Sequence, residues 1–331
     1  MLNNDVDNQD KAVQRLTGGD VRTAARLITM VENNSVEAIG LMKRIYPFTG
    51  RAVVIGITGA GGAGKSSLIN QLISRFRDLK KKVGVVAVDP SSPFSGGALL
   101  GDRVRFQRHT MDNGVYVRSI ASRGYPGGLA CATLDVVRIM EAMGNDVVIV
   151  ETLGVGQDEI DIIHVAQTSL LVLTPGMGDD IQAMKAGVME IADIIVLNKF
   201  DLDGAESCLR SLEASLSRSV KKEPGKWIPP VIPTISSCSQ NQRIIGVDDL
   251  MKGIEAHQVF LKEGGNGEKA RVKRIEHELG LIFKNEVERL VLAGLKGTNK
   301  RRKYIEAIMM RETDPYSVVE EVLEHLTNRH S

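Results

Sequence analysis

Gly59-Ala60-Gly61-Gly62-Ala63-Gly64-Lys65-Ser66 is the stretch of sequence that decides the fold of this chain. It fits G-x-x-x-x-G-K-[ST], the loop that binds phosphates in nucleoside triphosphatases. The glycines allow a tight turn whose N–H groups approach phosphate oxygens. Lys65 can place its positive charge on the β- and γ-phosphates, and Ser66 can offer its hydroxyl to Mg²⁺. The stretch therefore predicts a site for a nucleoside triphosphate.

The segments on either side fit a phosphate loop that connects a strand to a helix. Residues 52–57 are apolar and rich in β-branched side chains, which is typical of a buried strand. Ser67 and the residues up to Ile73 begin an amphipathic helix, and the N-terminus of a helix favours an anion. A strand, a loop and a helix in this order predict that the loop folds as a phosphate site.

Strand and helix patterns continue to alternate after this loop. Further apolar strands are predicted at 83–88, 116–120, 146–150, 169–173, 194–197 and 231–235. Such strands, separated by helices, predict an α/β fold with a mostly parallel sheet flanked by helices. Ligands bind such sheets at the carboxyl ends of the strands, where the loop at 59–66, Asp89, Glu151 and Asn198 all fall.

The sequence predicts three parts. Residues 1–50 form a helical N-terminal extension, residues 51–263 the P-loop domain, and residues 264–331 a helical C-terminal arm that begins after a flexible break at 264–268. Apolar residues with helical spacing lie along the arm at Leu279, Ile282, Phe283, Val287, Leu290 and Val291. Such a stripe either packs on the parent domain or forms a dimer interface.

Composition argues against several classes of function. The chain has 42 basic and 41 acidic residues, and its formal net charge of +1 argues against general binding to nucleic acid or membrane surfaces. Aromatic residues make up 4% of the chain, too few for platforms that stack bases. The 3 cysteines and 6 histidines do not cluster with metal-ligand spacing. The polar N-terminus and the short apolar runs predict a cytoplasmic protein that does not span a membrane.

Asn198-Lys199-Phe200-Asp201 fits N-K-x-D after an apolar strand. The carboxylate of Asp201 can accept hydrogen bonds from the N1–H and the exocyclic amine of guanine. Adenine reverses that donor pattern, so a carboxylate here favours GTP over ATP. Asn198 can brace the loop, and the aliphatic part of Lys199 can lie on the base.

Three acidic positions are candidates for the metal and for hydrolysis. Glu151 follows a strong strand and can hold Mg²⁺ or orient the attacking water, with Gly154 near the γ-phosphate; an ordinary helix N-cap is the alternative. Asp89 ends another strand and can join the metal shell, and Asp102 is either in a mobile loop of the site or a solvated charge. Residues 175–185 either change conformation with the nucleotide or form a simple loop–helix junction.

Taken together, these motifs resemble the MeaB/ArgK family of GTPases. The blocks that carry the resemblance are Gly59–Ser66, Val88–Ser92, Gly96–Asp102, Glu151–Gln157, Pro175–Gly187, Glu190–Asp193, Asn198–Asp201 and Asp314–Tyr316. Other GTPase families lack the blocks at 89–102 and 175–187. The resemblance extends from about residue 10 to residue 328.

The resemblance implies a GTPase that acts as a chaperone for an adenosylcobalamin-dependent acyl-CoA mutase, typically methylmalonyl-CoA mutase. Such chaperones gate cofactor loading by nucleotide state and protect the mutase from inactivation. They are usually homodimers with a helical C-terminal arm. A mutase of another acyl-CoA is an alternative client.

Residue roles follow from the same resemblance by position. It implies that Lys65, Asp102, Glu151 and Lys185 serve catalysis, with Lys185 in a third switch that communicates with the mutase. It implies that Ser66, Asp89, Asp102 and Glu151 hold Mg²⁺. The residues expected to bind GTP or GDP are Gly59, Gly61, Gly62, Ala63, Gly64, Lys65, Ser66, Ser67, Asn198, Lys199, Asp201 and Ser236.

Three positions depart from the family pattern. Gly61 stands where proline is common, which predicts a loop that is more flexible when empty. Phe200 stands where alanine is common, and residues 235–238, Ile-Ser-Ser-Cys, replace the usual Ser-Ala segment that contacts the base. These departures bear on the identity of the client more than on the activity.

Two other functions fit part of the sequence. An ATP-using kinase or transport ATPase would share the phosphate loop, but Asp201 argues against it. A nickel-enzyme maturation GTPase would share the GTPase motifs, but the histidines and cysteines do not form a metal site. We expect slow intrinsic hydrolysis that the partner accelerates, because only Arg103 and Arg105 are candidates for a catalytic arginine.

Overall fold

The computed structural model describes residues 2–90, 106–109, 111–122, 128–152, 165–176, 192–219, 225–237, 244–295 and 300–327. The chain separates into two compact units, Met1–Arg274 and Ile275–Ser331. The division into three parts stays a prediction.

Helices and strands alternate through the first unit as the sequence predicts. The described strands are β1 (Val53–Thr58), β2 (Val83–Pro90), β3 (Val115–Ser122), β4 (Val147–Glu151), β5 (Thr168–Leu173), β6 (Ile194–Leu197) and β7 (Val231–Pro233). The described α-helices are α1 (Leu2–Thr17), α2 (Val21–Glu32), α3 (Val36–Ile45), α4 (Lys65–Asp78), α5 (Gly128–Ala142), α6 (Ala205–Ser219), α7 (Val247–Lys262), α8 (Asn266–Leu295), α9 (Lys300–Met309) and α10 (Pro315–Thr327).

In the described part of the chain the strands form one sheet with the order β3-β2-β4-β1-β5-β6-β7. Every neighbouring pair is parallel, which confirms the predicted sheet. Strand β1 lies between β4 and β5, with Ile57 opposite Glu151 on one side and Leu170 on the other. All carboxyl ends therefore meet at one edge, and the phosphate loop leaves the middle of that edge.

Helices cover both faces of the sheet, which explains why most of its strands are rich in apolar residues. Successive residues of a strand point to opposite faces. Val54 of β1 packs in a core with α1, α2, α3 and α5, whereas its neighbour Ile55 packs in a core with α4 and α7. A third core joins β5 and β6 to α6. The predicted helical extension is thus one of the layers that cover the sheet.

Local sequence sets where several elements begin and end. Asp20 caps α2, since its carboxylate accepts hydrogen bonds from the backbone N–H groups of Arg22 and Thr23 at 3.2 and 3.3 Å. After α3 the chain tightens into a 3-10 helix at Tyr46–Phe48, where Pro47 lacks an N–H for a continued α-helix.

Two of the predicted segments are shorter in the structure. The strand predicted at 231–235 ends at Pro233, because Ile235 instead pairs with Ile245 in an isolated antiparallel bridge. The break predicted at 264–268 is shorter, because α8 begins at Asn266. Gly264 and Gly265 have φ of +61° and +72°, and this left-handed backbone separates α7 from α8.

The second unit contains the end of α8 together with α9 and α10. Tyr304 of α9 donates a hydrogen bond to Glu321 of α10 at 2.8 Å. Many large apolar side chains of this unit are exposed, among them Ile275, Leu279, Ile282, Phe283, Val287, Leu290, Ile305, Met309, Met310, Tyr316, Val319 and Leu323. Among the described helices, none has both the length and the apolar character needed to cross a membrane.

Candidate nucleotide site

The phosphate loop starts with a glycine that no other residue could replace without moving β5. Gly59 has φ of +145°, and a Cβ there would lie 2.2 Å from the carbonyl oxygen of Val172. The loop then turns at Gly62, where φ is +77° and the N–H of Ala63 donates to the carbonyl of Ala60 at 3.2 Å. A positive φ at the third residue of such a turn is typical of type II, which favours glycine at that position.

Gly64 packs the end of the loop against the strand that carries the predicted guanine motif. It has φ of +91°, and a Cβ there would lie 2.3 Å from Nδ2 of Asn198. That amide nitrogen donates a hydrogen bond to the carbonyl of Ala63 at 2.8 Å. The close approach of the two loops thus requires glycine at this position.

Lys65 is the first residue of α4 and lies inside the curve of the loop. Its ammonium group donates to the carbonyls of Gly59 and Ala60 at 2.5 and 3.0 Å. The side chain is 6% exposed, so the charge is held next to the helix N-terminus, where phosphates bind. Ser67 follows in the first turn of α4 and is half-buried. The loop, the helix terminus and the charge together provide the N–H donors and the positive charge that the predicted phosphate site requires.

Ser66 and Glu151 meet at the carboxyl edge of the sheet. The hydroxyl of Ser66 donates to Oε1 of Glu151 at 2.7 Å, and the glutamate is 2% exposed. Glu151 is the last residue of β4, so it is not the helix N-cap considered as its alternative. Mg²⁺ prefers oxygen ligands and is often held by one or two carboxylates with substrate phosphates. These two oxygens fit that donor set.

Asn198 connects the phosphate loop to the loop expected to read the base. Besides its contact with Ala63, its Oδ1 accepts hydrogen bonds from the Thr234 hydroxyl at 3.1 Å and from the N–H of Ser236 at 3.3 Å. The side chain is 1% exposed, so these contacts are shielded from water. Asn198 therefore joins three segments, as the predicted bracing role requires.

The rest of the predicted guanine motif follows the end of β6. Lys199 has φ of +55°, a left-handed backbone that is uncommon outside glycine, and Asp201 is exposed to solvent. Phe200, which departs from the family pattern, is partly buried and packs against the core that β5 and β6 form with α6. The residue next to it, Asp201, stays accessible to a ligand.

Ser236 lies close to the phosphate loop, as its predicted role in nucleotide binding requires. It is 3% exposed, and its Oγ is 3.7 Å from the position that a Cβ on Gly64 would occupy. Its carbonyl accepts a hydrogen bond from the side-chain amide of Gln71 in α4 at 3.3 Å. The segment at 235–237 is therefore fixed both to Asn198 and to the helix that follows the phosphate loop.

Several predicted site residues lie outside the described residues. They are Asp102, Arg103, Arg105, Gly154 and Lys185, together with the side chain of Asp89 at the end of β2. Their predicted roles stay predictions. In contrast, the structure adds Thr58, Gln71, Thr152 and Thr234, which sequence reasoning missed because each acts through a partner far away in the sequence.

Comparison with known proteins agrees with this geometry. Residues 24–296 match the family model described as methylmalonyl-CoA mutase-associated GTPase MeaB. The chain belongs to the MeaB family. Its relatives include a protein of Pyrococcus horikoshii named as a GTPase, 46% identical over 323 residues, with 97% of this chain and 99% of the relative covered.

Other members of the family carry names that bear on function. GTPase ArgK of Escherichia coli is 32% identical over 291 residues, with 83% of this chain and 86% of the relative covered. The fused isobutyryl-CoA mutase of Geobacillus kaustophilus is 37% identical over 217 residues, which are 62% of this chain and 20% of that protein. In that fused protein, a segment similar to this MeaB-family chain is part of a mutase.

A solved structure confirms the fold. The crystal structure of a LAO/AO transport system kinase superposes with a TM-score of 0.68 at 24% identity, with 96% of this chain and 97% of the other covered. The MeaB-family chain thus has the predicted α/β fold with a phosphate loop. The family and the fold support nucleotide hydrolysis in general.

Proposed function

We propose that this MeaB-family chain hydrolyses GTP and is a chaperone of an adenosylcobalamin-dependent acyl-CoA mutase. Hydrolysis would gate the loading of adenosylcobalamin and protect or reactivate the mutase. The family description, which names a methylmalonyl-CoA mutase-associated GTPase, supports this role. The fused isobutyryl-CoA mutase supports a mutase client of this or a closely related type.

One observation carries the GTPase part of the proposal. Asn198 donates to the carbonyl of Ala63 at 2.8 Å, so the start of N-K-x-D is bonded directly to the phosphate loop. A nucleotide whose phosphates occupy residues 59–66 would therefore present its base toward Asp201. A carboxylate at that place accepts the two hydrogen bonds that guanine donates and repels the acceptor pattern of adenine. The alternative of an ATP-using kinase or transport ATPase has no such support.

The residues of the site divide the work of binding and hydrolysis. Backbone N–H groups of the loop and the Lys65 ammonium would neutralise the β- and γ-phosphates as negative charge shifts during cleavage. Ser66 and Glu151 would hold Mg²⁺, which supplies charge stabilisation to the phosphate oxygens when bound. Glu151 is buried, so its carboxylate acts in surroundings that strengthen its electrostatic interactions.

The exposed apolar side chains of the second unit fit the predicted homodimer. Leu279, Ile282 and Phe283 of α8 are 49%, 45% and 68% exposed. Contiguous exposed apolar surface of this kind marks protein–protein contacts. We expect Phe283→Glu to shift the chain from dimer to monomer in light scattering, whereas Lys284→Gln, which lowers the charge by the same amount at the next position, leaves the mass unchanged. A monomeric wild type would contradict the dimer.

A hydrolysis assay with a purified mutase tests the whole proposal. We expect Mg²⁺-dependent release of phosphate from GTP and not from ATP, and a rate that rises when an adenosylcobalamin-dependent acyl-CoA mutase is added. Preferential use of ATP would favour a kinase or transport ATPase. Submicromolar binding of Ni²⁺ would favour nickel-enzyme maturation. Rapid GTP turnover that no such mutase affects would contradict the chaperone role.

A further inference from the structure

Two buried threonines connect the residue before the phosphate loop to the residue after Glu151. The hydroxyl of Thr152 donates to the hydroxyl of Thr58 at 3.0 Å. Thr58 and Thr152 are 2% and 3% exposed. Thr58 directly precedes Gly59, and Thr152 directly follows Glu151. The hydrogen bond therefore connects the two chain positions from which the phosphate loop and the acidic strand end leave the sheet.

Given the residues around them, hydroxyl-bearing side chains are unexpected at positions 58 and 152. Thr58 lies opposite Leu171 in the β1–β5 register, and Ile57 before it is 1% exposed. Two valines would have the same shape and would avoid burying two hydroxyl groups. The backbone already ties the strands here, since the N–H of Thr152 donates to the carbonyl of Ile57 at 3.0 Å. Holding the strands together thus does not require the hydroxyls.

Two hydroxyl groups can approach each other more closely than two methyl groups can. Two hydroxyl oxygens approach to 3.0 Å in this pair, whereas two methyl carbons stay about 3.5–4.0 Å apart. The hydroxyls thus allow these two side chains, at the ends of β1 and β4, to approach more closely than methyl groups would allow. Ser66 follows the loop that leaves β1, and Glu151 is the end of β4; their oxygens are 2.7 Å apart. A change of strand spacing would change the separation of these two oxygens.

We propose that Thr58 and Thr152 are positioning residues that set the spacing between Ser66 and Glu151 for Mg²⁺. The inference rests on the proposed GTPase function, because that function makes these two oxygens metal ligands. Neither threonine contacts the reacting atoms; each acts through the residue beside it. The pair thus tunes Mg²⁺ affinity and the hydrolysis step, while binding of the base and of the nucleotide without metal depends on other residues.

The double variant Thr58→Val/Thr152→Val separates positioning from stability. Replacing both partners of a hydrogen bond by apolar groups of the same shape is nearly neutral, so we expect a melting temperature within about 3 °C of wild type. A misplacement of about 1 Å costs about 100-fold in rate, and the shift here is smaller, so we expect kcat to fall about ten-fold. KM for GTP should change less than about two-fold.

A second readout does not depend on hydrolysis. Binding of fluorescent N-methylanthraniloyl-GDP is measured while Mg²⁺ is added. We expect the double variant to need about three- to ten-fold more Mg²⁺ than the wild type to reach half of the Mg²⁺-dependent change in GDP binding. Thr152→Ser keeps the hydroxyl and should restore both Mg²⁺ dependence and kcat. A double variant with wild-type kcat and wild-type Mg²⁺ dependence would overturn the positioning role, as would Thr152→Ser behaving like the valine variants.

The two readouts also distinguish this inference from the proposed function. Wild-type chain that binds the fluorescent GDP but does not release phosphate from GTP would overturn the proposed hydrolysis. The Mg²⁺ titration of GDP binding would then decide the role of the threonines alone. Wild-type hydrolysis with an unaffected double variant would overturn the positioning role and leave the GTPase proposal intact.

Discussion

Gly64→Ala is the substitution for which the structure gives the sharpest expectation. The new Cβ would lie 2.3 Å from Nδ2 of Asn198, and the backbone there has φ of +91°. A left-handed backbone costs an L-residue about 1–2 kcal/mol. The clash also displaces the amide that donates to Ala63, a hydrogen bond that contributes about 1 kcal/mol. We expect the free energy of unfolding to fall by about 2–3 kcal/mol.

Gly61→Ala is the matched control in the same loop. A Cβ at Gly61 meets no atom within 4 Å, and its φ lies outside the left-handed region. Alanine at such a position stabilises by about 0.4–1 kcal/mol, because it restricts the unfolded chain. Urea unfolding of both variants measures the difference. We expect the midpoint of Gly64→Ala to fall by about 1 M and that of Gly61→Ala to stay level or rise.

Binding of fluorescent GDP completes this test. Because Gly64→Ala pushes Asn198 off the phosphate loop, we expect it to weaken GDP binding by at least about ten-fold, which corresponds to about 1.4 kcal/mol. Equal urea midpoints for the two variants would refute the assigned packing of Gly64 against Asn198. Normal GDP binding by a destabilised Gly64→Ala chain would refute the link between that packing and the site.

Three further predictions follow from single side chains. Glu151→Gln keeps a hydrogen-bond acceptor for Ser66 but loses the negative charge. We therefore expect Mg²⁺-dependent GTP hydrolysis to fall about 100-fold, while GDP binding without metal is retained. Unchanged hydrolysis contradicts the metal role of Glu151. Asp201→Asn should reduce the preference for GTP over ATP in competition binding, and unchanged discrimination contradicts the guanine assignment. Burial lowers the pKa of His257, so its contribution to stability is present above about pH 6.5 and is lost as pH falls through the folded value. In His257→Gln the free energy of unfolding should fall less steeply with decreasing pH than in the wild type. Unfolding is followed by the fluorescence of Trp227, whose ring centroid lies 4.8 Å from that of His257. An equally steep fall in both proteins contradicts this role of His257.

The surroundings of His257 explain why its pKa is lowered. Its Nδ1 lies 3.0 Å from the Thr168 hydroxyl, which accepts a hydrogen bond from the side-chain amide of Gln258 at 2.7 Å. The Thr168 hydroxyl can donate to Nδ1 or accept from it, according to the tautomer of the ring, and Nε2 lies 3.4 Å from a carboxylate oxygen of Asp193. Asp193 opposes the lowering of the His257 pKa, and Arg274 adds to it. Desolvation is the largest influence and decides the direction.

A site formed by neighbouring residues in the sequence can be predicted well from the sequence alone. A contact that depends on the order of the strands in the sheet is predicted poorly. Residues 59–66 and 198–201 are short motifs, and their loops lie where the apolar pattern of the flanking strands predicts. The bond between Asn198 and Ala63 joins residues 135 positions apart, and the Thr58–Thr152 bond joins residues 94 positions apart. The first depends on the order β1-β5-β6 and the second on β1 lying beside β4, an order that hydrophobic periodicity does not specify.

Phe200 is a single residue whose role could not be predicted from the sequence alone. As a departure from the family pattern it suggested a difference in the client. In the structure its side chain packs against the core that β5 and β6 form with α6. The phenylalanine thus has a packing role, which could be assigned only once it was known which helix covers β6.

The site has two sides that should respond differently to the nucleotide. Asn198, Thr234 and Ser236 form a hydrogen-bonded group on the side of β6 and β7, where the base would lie. GTP and GDP share the same base, so contacts there have equal affinity for both and cannot shift a conformational equilibrium between them. Only the γ-phosphate and its contacts with the metal differ, and in the proposed site these would lie toward Ser66 and Glu151. Communication of nucleotide state to a client should therefore begin at the end of β4, where Thr152 leads the chain away from the sheet.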